Sequence, residues 1–281
     1  MNIGLIGNGF VGNAIYQNLK ENYNFFIFDT NPDRATASSI EELCDEAKII
    51  FVALPTPMQS DGRCDLSIIR GAMADISSHY RNNIIILKST VPPGTCEDIV
   101  RAHPNLRLVF SPEFLTEANF VEDFRTCNRM IFGGNIADTS ECVKLLYSVF
   151  PDKYYVMTEW RIAEMVKYFI NTFLASKVAF ANEMYEICNA AGIEYVDVKK
   201  FALLDNRICD SHLNVPGPDG DCGFGGTCFP KDINALMYFA QQNDIDPLVL
   251  RSAWDKNLKV RKNRDWLTMF GRAVSTTKEG E

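Results

Sequence analysis

Along the first half of the chain, short apolar runs alternate with segments whose apolar positions recur at helical spacing. Residues 3–6 read as a strand, 10–19 as a helix and 25–28 as a second strand; further apolar runs follow at 49–54, 84–87, 106–110 and 130–132. These runs lack the polar alternation of a half-exposed sheet, so both sheet faces must be covered, and the intervening helices supply the cover. The pattern predicts an α/β fold, a Rossmann-type doubly wound parallel sheet, over residues 1–155. From Glu159 to Ala191 the pattern changes to one helix without proline or glycine, stopping at Gly192, a residue suited to the C′ position. About 30 residues make a helix roughly 45 Å long, more than a small domain needs for its own core. The expectation is a homodimer through helix 159–191, an all-helical second domain over 156–270, and a polar tail over 271–281.

Between the first strand and the first helix lies Gly7-Asn8-Gly9-Phe10-Val11-Gly12. Gly7 suits a tight turn, Gly9 the close approach of a pyrophosphate, and Gly12 close packing of helix on strand. The helix start at Phe10 and Val11 offers free N–H groups to phosphate. Asp29 ends the second strand, where a carboxylate can accept the ribose hydroxyls of NAD and repel the 2′-phosphate of NADP. Arg34, close by, keeps NADP in view, and glycines in an ordinary turn beside an exposed Asp are the plain alternative. Two later loops, Leu54-Pro55-Thr56-Pro57 and Ser89-Thr90-Val91-Pro92-Pro93-Gly94-Thr95, follow strand ends where ligands bind in such sheets. Their prolines and hydroxyls suit a cofactor or substrate contact and suit rigid turns equally well.

Composition narrows the partners. At 281 residues, with 47% hydrophobic and 23% charged, the chain can bury one large or two modest cores. A net charge of -8 argues against nucleic acid or an anionic membrane as the main partner, while leaving room for a local basic pocket and an anionic substrate. The first strand begins almost at Met1, which leaves no space for a signal peptide, and the longest apolar run falls far short of the roughly 18 residues of a membrane span. A cytoplasmic protein is expected. The nine cysteines are scattered and odd in number, unlike a disulfide framework, and His79, His103 and His212 show no zinc-ligand spacing. No metal is expected.

The chemistry-bearing stretch is Cys222-Gly223-Phe224-Gly225-Gly226-Thr227-Cys228-Phe229-Pro230-Lys231-Asp232. Its glycines strip side chains from a segment that ends in a thiol and opens a helical pattern. A helix start and a neighbouring lysine both favour thiolate, the reactive form of cysteine. A buried structural cysteine in a glycine-rich turn fits the same residues. Lys167 and Asn171, four apart on the long helix, share a face and can bind an oxyanion together; a solvated helix surface is the commoner fate of such a pair.

Taken in order, these motifs resemble the UDP-glucose/GDP-mannose dehydrogenase family. The resemblance runs from residue 1 to about 264. It also takes in Asp65-Leu66-Ser67, Ser111-Pro112-Glu113-Phe114-Leu115-Thr116-Glu117 and the segment from Ala163 to Ala175. It implies oxidation of a nucleotide-sugar C6 alcohol to the carboxylate with two NAD⁺ per turnover, UDP-glucose being the expected substrate and GDP-mannose the alternative. It further implies that Cys228 forms a thiohemiacetal and then a thioester, and that Lys167 and Asn171 stabilise oxyanions. Asp232 and Thr90 would position water, and Glu113 would assist proton transfer or hydrolysis. Pro55, Thr56, Thr90, Glu117 and Lys231 would line the cofactor side. Glu113, Phe114, Leu115, Lys167, Asn171 and the backbone of Phe224, Gly225 and Gly226 would line the substrate side. A one-step β-hydroxyacid dehydrogenase shares the first domain but has no use for Cys228. Two departures stand out. Thr126-Cys127-Asn128-Arg129 replaces the family's more frequent proline and acidic residue before the arginine. The family usually continues into a second Rossmann-like domain, which leaves open a short form, a fragment, or an NAD-binding member without turnover.

Overall fold

A computed structural model describes residues 1–275. The chain divides into two compact units: residues 1–56 with 66–167, and residues 57–65 with 168 onward.

The first unit alternates strands and helices in the order β1 (Asn2–Ile6), α1 (Phe10–Leu19), β2 (Asn24–Phe28), α2 (Ile40–Glu46), β3 (Ile49–Val52), α3 (Ser67–Ser78) and β4 (Ile84–Leu87). It continues through α4 (Thr95–Ala102), β5 (Arg107–Phe110), α5 (Phe120–Thr126), β6 (Arg129–Gly134), α6 (Ile136–Tyr147) and β7 (Tyr154–Thr158). The sheet order is β2-β1-β3-β4-β5-β6-β7, a Rossmann-type arrangement. Every neighbouring pair is parallel except β5 and β6, which run antiparallel with Val109 opposite Gly134. β7 adds a strand beyond those expected; it lies at the sheet edge with Tyr154, Val156 and Met157 exposed despite its apolar sequence.

Alternation at period two sends side chains of each strand to opposite faces, and both faces are apolar. Ile6, Ile50, Val52, Ile85, Leu87 and Leu108 pack under α2, α3 and α4 with Leu43, Ile69, Met73, Ile76 and Ile99. Ile3, Leu5, Phe51, Ile86 and Val109 pack under α1, α5 and α6 with Ile15, Leu19, Phe124, Leu145 and Leu146. Each fully buried side chain of this size contributes about 1.5–3 kcal/mol. β1 lies between β2 and β3, so the winding direction reverses there, and loops after β1 and β3 open on the same switch point.

The second unit is mainly helical. α7 (Trp160–Ala190) begins in the first unit and continues into the second, followed by α8 (Tyr195–Ala202), α9 (Phe229–Gln242) and α10 (Leu248–Val260). α7 closes where the Ile193 N–H returns to the Cys188 carbonyl at 2.9 Å, a Schellman-type ending beside Gly192. Ala175, Ala179, Phe224, Ile233 and Ala253 form the core, and the rings of Phe224, Trp254 and Trp266 pack in series. Met58 bridges to Cys64 and to Val274, and its backbone exchanges 2.8 Å hydrogen bonds with Ala273 and Ser275. Residues 271–275 are therefore pinned to the 57–65 segment; the rest of the expected polar tail, 276–281, lies outside the described residues. Among the described residues no helix is long and apolar enough to cross a membrane.

Candidate functional site

The glycine loop is built by two backbone constraints. Gly7 takes a φ of +88°, and a Cβ on Gly12 would strike the Gly7 carbonyl oxygen, so α1 can seat on the loop only without side chains there. Gly9, the N-cap of α1, has open space where a side chain would sit. Asp29 is half-buried and already binds the loop: one carboxylate oxygen accepts from the Asn8 N–H at 2.6 Å, the other from Asn31 at 2.8 Å. A carboxylate has about four acceptor positions, so two remain for a pair of ribose hydroxyls. The open helix start and this carboxylate fit a dinucleotide. Arg34 is exposed and lends its carbonyl to the Asn8 side chain at 3.1 Å. Phe10 is exposed with its ring edge-on to Phe120 at 5.4 Å, and Val11 packs on the α1 side of the sheet.

The two proline loops hold each other. The Thr56 hydroxyl donates to the Thr90 carbonyl at 2.8 Å, and the Leu54 N–H donates to the Ser89 hydroxyl at 2.9 Å. Pro55 stays exposed beside them. Glu164, fully buried on α7, accepts from the Gly94 and Cys96 N–H groups at 2.6 and 2.9 Å and so seats the head of α4. Burial pushes its carboxyl above the usual range despite those two donors.

At the C-terminal end of β5, Glu113 is 8% exposed. One of its carboxylate oxygens pairs with Lys88 Nζ at 3.1 Å, and the other accepts from the Phe114 N–H at 3.1 Å. Lys167 is buried, not the solvated lysine that spacing favours; its Nζ donates to the Glu113 carbonyl at 2.5 Å and lies 5.4 Å from the Phe114 ring centre. Leu115 is half-buried against the second apolar face, and Glu117 is exposed.

In the second unit, Cys228 is the N-cap of α9 and half-buried, with its Sγ 3.7 Å from the Thr227 hydroxyl. One turn on, Asp232 is 1% exposed and binds two partners at 2.5 Å: Asn171 Nδ2 on one oxygen and Lys231 Nζ on the other. Burial alone would lower the Lys231 amine; Asp232, then Cys228 and Cys64, outweigh it and raise the amine above its ordinary value. Asn171, Lys231, Asp232 and Cys228 thus form one electrostatic neighbourhood, and Cys64 joins it unforeseen.

The glycine loop before Cys228 is less open than its composition implies. Both backbone groups of Phe224 are taken by the Asn257 carboxamide, at 2.7 and 3.0 Å, and the Gly226 N–H donates to Asp265 at 3.0 Å. Arg261, 2% exposed at its side chain, pairs with Asp219 at 2.6 Å, off the N–H axis, and with Asp265 at 3.4 Å. Lys88, Glu164, Asn257, Arg261 and Asp265 were not singled out in the sequence. Lys88 had one signal, an ammonium directly after a wholly apolar strand.

Residues 29–151 match the model of the UDP-glucose/GDP-mannose dehydrogenase family NAD binding domain, and residues 161–259 match the central domain of the same family. A UDP-glucose 6-dehydrogenase of Rickettsia bellii is 33% identical over 269 residues, covering 93% of this chain and 59% of the relative. One of Pseudomonas aeruginosa is 35% identical over 240 residues, covering 81% and 52%. The solved structure of a UDP-glucose dehydrogenase from Pyrobaculum islandicum superposes with a TM-score of 0.83 at 26% identity, covering 92% of this chain and 68% of that one. The chain thus spans between half and three-fifths of the length of these two sequence relatives.

Proposed function

The chain belongs to the UDP-glucose/GDP-mannose dehydrogenase family, and from that premise we propose that it oxidises the C6 alcohol of a nucleotide sugar, UDP-glucose foremost, to the carboxylate. The observation that carries this reading is the Cys228 thiol at the head of α9, one turn from the buried Asn171–Asp232–Lys231 cluster. NAD⁺, when bound, accepts a hydride from C6 at each of two steps. Gly7, Gly9, Phe10, Val11, Gly12 and Asp29 are the residues that would hold it.

The protein's task lies between the hydride losses. The first, with loss of the alcohol proton, leaves an aldehyde, whose carbon lacks the added oxygen or sulfur nucleophile that a second hydride loss requires. The Cys228 thiolate adds to that carbon, and the oxygen takes a proton, giving a thiohemiacetal. Loss of the second hydride from that carbon, with the hydroxyl proton, leaves a thioester. Water then attacks the acyl carbon, the C–S bond breaks, and sulfur departs as thiolate. Asn171 and Lys167 are the donors assigned to the oxyanions of these additions. Glu113 is assigned the proton of the attacking water, with Asp232 and Thr90 orienting that water. Asp232 binds Asn171 and Lys231 at once, an arrangement that supports fixing the carboxamide and keeping a positive charge near the sulfur. GDP-mannose is the alternative substrate, since the family's description covers both.

Cys228→Ala tests the assignment. The variant should bind NAD like the parent and form no uronate; acid at the parental rate would remove the nucleophile role. A homodimer through α7 is part of the same proposal. Phe169, Phe173 and Phe180 lie 67%, 57% and 62% exposed along it, more aromatic surface than a solvated helix carries without a partner. Light scattering should give twice the 31.7 kDa of one chain, and Phe173→Asp should halve it; a monomeric parent contradicts the dimer. The nine unpaired cysteines suit a reducing compartment and support a cytoplasmic location.

A further inference from the structure

We propose that Lys88 is a positioning residue for the hydrolytic half of the reaction: it fixes the Glu113 carboxylate in the place from which Glu113 takes the proton of the attacking water. The inference rests on the functional reading above and deepens it.

Lys88 directly follows β4, and its side chain is 7% exposed. Taking an ammonium out of water is costly unless it is paired, and an apolar chain of the same length would fill the space without that cost. Its presence needs a reason. The ammonium has two acceptors, Ser111 Oγ at 3.0 Å and Glu113 Oε2 at 3.1 Å. Ser111 is itself 2% exposed and follows β5, and its N–H donates to the Leu87 carbonyl at 2.9 Å, which locks the two strand ends in register. Lys88 therefore reaches Glu113 from the end of β4, where its own N–H donates to the Val52 carbonyl at 2.8 Å.

Other cations lie near Glu113. Lys167 binds the Glu113 backbone carbonyl, Lys153 interacts with Glu113 through charge, and Arg129 lies over the Phe114 ring at 4.8 Å. Among the described residues Lys88 is the cation bonded to the carboxylate oxygens. With the Phe114 N–H on the second oxygen, the carboxylate plane is held at both ends. Beside it lies a cavity of about 10 Å³ lined by Lys88, Ser111, Glu113, Phe114 and Arg129 among others, room for one water molecule. Without Lys88 the carboxylate would keep one anchor and turn about its Cγ–Cδ bond. The reaction would then stall after the second hydride loss, with the acyl group still on Cys228.

The test uses the full chain with NAD⁺ and UDP-glucose, stopped in acid and weighed intact. Lys88→Met should still give an initial burst of NADH, then turn over about 100-fold more slowly than the parent, the scale of a lost general base. Its Cys228 should carry a uronyl adduct, while KM for UDP-glucose stays within about threefold, because a positioning defect in hydrolysis leaves binding intact. Lys88→Arg should restore part of the rate. Glu113→Gln should accumulate the same adduct, and the double variant should be no slower than Glu113→Gln alone, since Lys88 acts through Glu113. A folded Lys88→Met protein with parental turnover, one that loses the burst along with turnover, or an additive double variant would overturn the proposal. If Lys88→Met does not fold, Ser111→Ala removes the other acceptor while keeping both charges; partial adduct accumulation supports the role and none overturns it. A parent that forms no acid sinks the functional reading and this inference together, whereas an active parent matched by its Lys88 variant sinks this inference alone.

Discussion

Replacing Asp232 with Asn keeps the size of the side chain and removes its charge. Asp232 is 1% exposed and lies 2.5 Å from Lys231 Nζ, on a side chain itself 12% exposed. At an effective dielectric of about 20 that separation corresponds to an attraction of about 7 kcal/mol before desolvation is subtracted. Breaking a buried pair by removing one partner costs about 3–5 kcal/mol, because the other charge is left unpaired. For a chain of this size the melting temperature should fall by about 6–20 °C.

The pH dependence should also change sign. In the parent, burial lowers the Lys231 amine but Asp232, Cys228 and Cys64 raise it further, so the folded state holds the proton more tightly than the unfolded chain. That stabilisation is full below the unfolded value of about 10.4 and is lost as pH rises through the folded value. Without Asp232 burial prevails, and the folded amine gives up its proton more easily than the unfolded one. Stability of the variant should then rise with pH up to about 10.4, and its deficit against the parent should narrow. Thermal melts of both proteins at pH 7, 8, 9 and 10 read this directly. A variant melting within about 2 °C of the parent at pH 7, or a gap that stays constant with pH, would refute the reasoning.

Three further outcomes follow from the first unit. Gly12→Ala places a Cβ against the Gly7 carbonyl oxygen and should cost about 1–3 kcal/mol while weakening NAD binding; parental affinity by calorimetry would contradict it. Thr56→Val removes the hydroxyl that ties the two proline loops and should cost about 1 kcal/mol in urea unfolding, with no change expected only if that bond is immaterial. The Glu164 carboxyl is pushed up by burial, so its folded value lies above its unfolded one, and the stability it contributes falls as pH rises between the two. Glu164→Gln should flatten the melting profile in that window; an unchanged slope would show that another group sets it.

The features legible in the sequence are the local ones. The Gly7–Asn8–Gly9 turn, the apolar strands and the Cys228 segment each declare themselves within about a dozen residues, because turn geometry, strand burial and helix starts are decided by near neighbours. What escaped is decided at a distance. The antiparallel direction of β6 depends on how residues 111–128 turn, and the edge position of β7, whose apolar Tyr154, Val156 and Met157 stay exposed, is set by its pairing with β6. Asn257 and Asp265 hold the loop at Phe224 and Gly226 from more than thirty residues away, so no spacing rule connects them. Lys167 reads as a surface lysine until the Glu113 carbonyl that accepts from it is known. Lys88 is harder still, since strand-end lysines are usually solvated and only its acceptors show that it points inward.

We propose that this chain carries out both oxidations, and the NADH released from limiting UDP-glucose counts them. Two NADH should appear for each UDP-glucose consumed, with UDP-glucuronate as the product. One NADH per sugar with free aldehyde, or none from a protein that binds NAD, would contradict it.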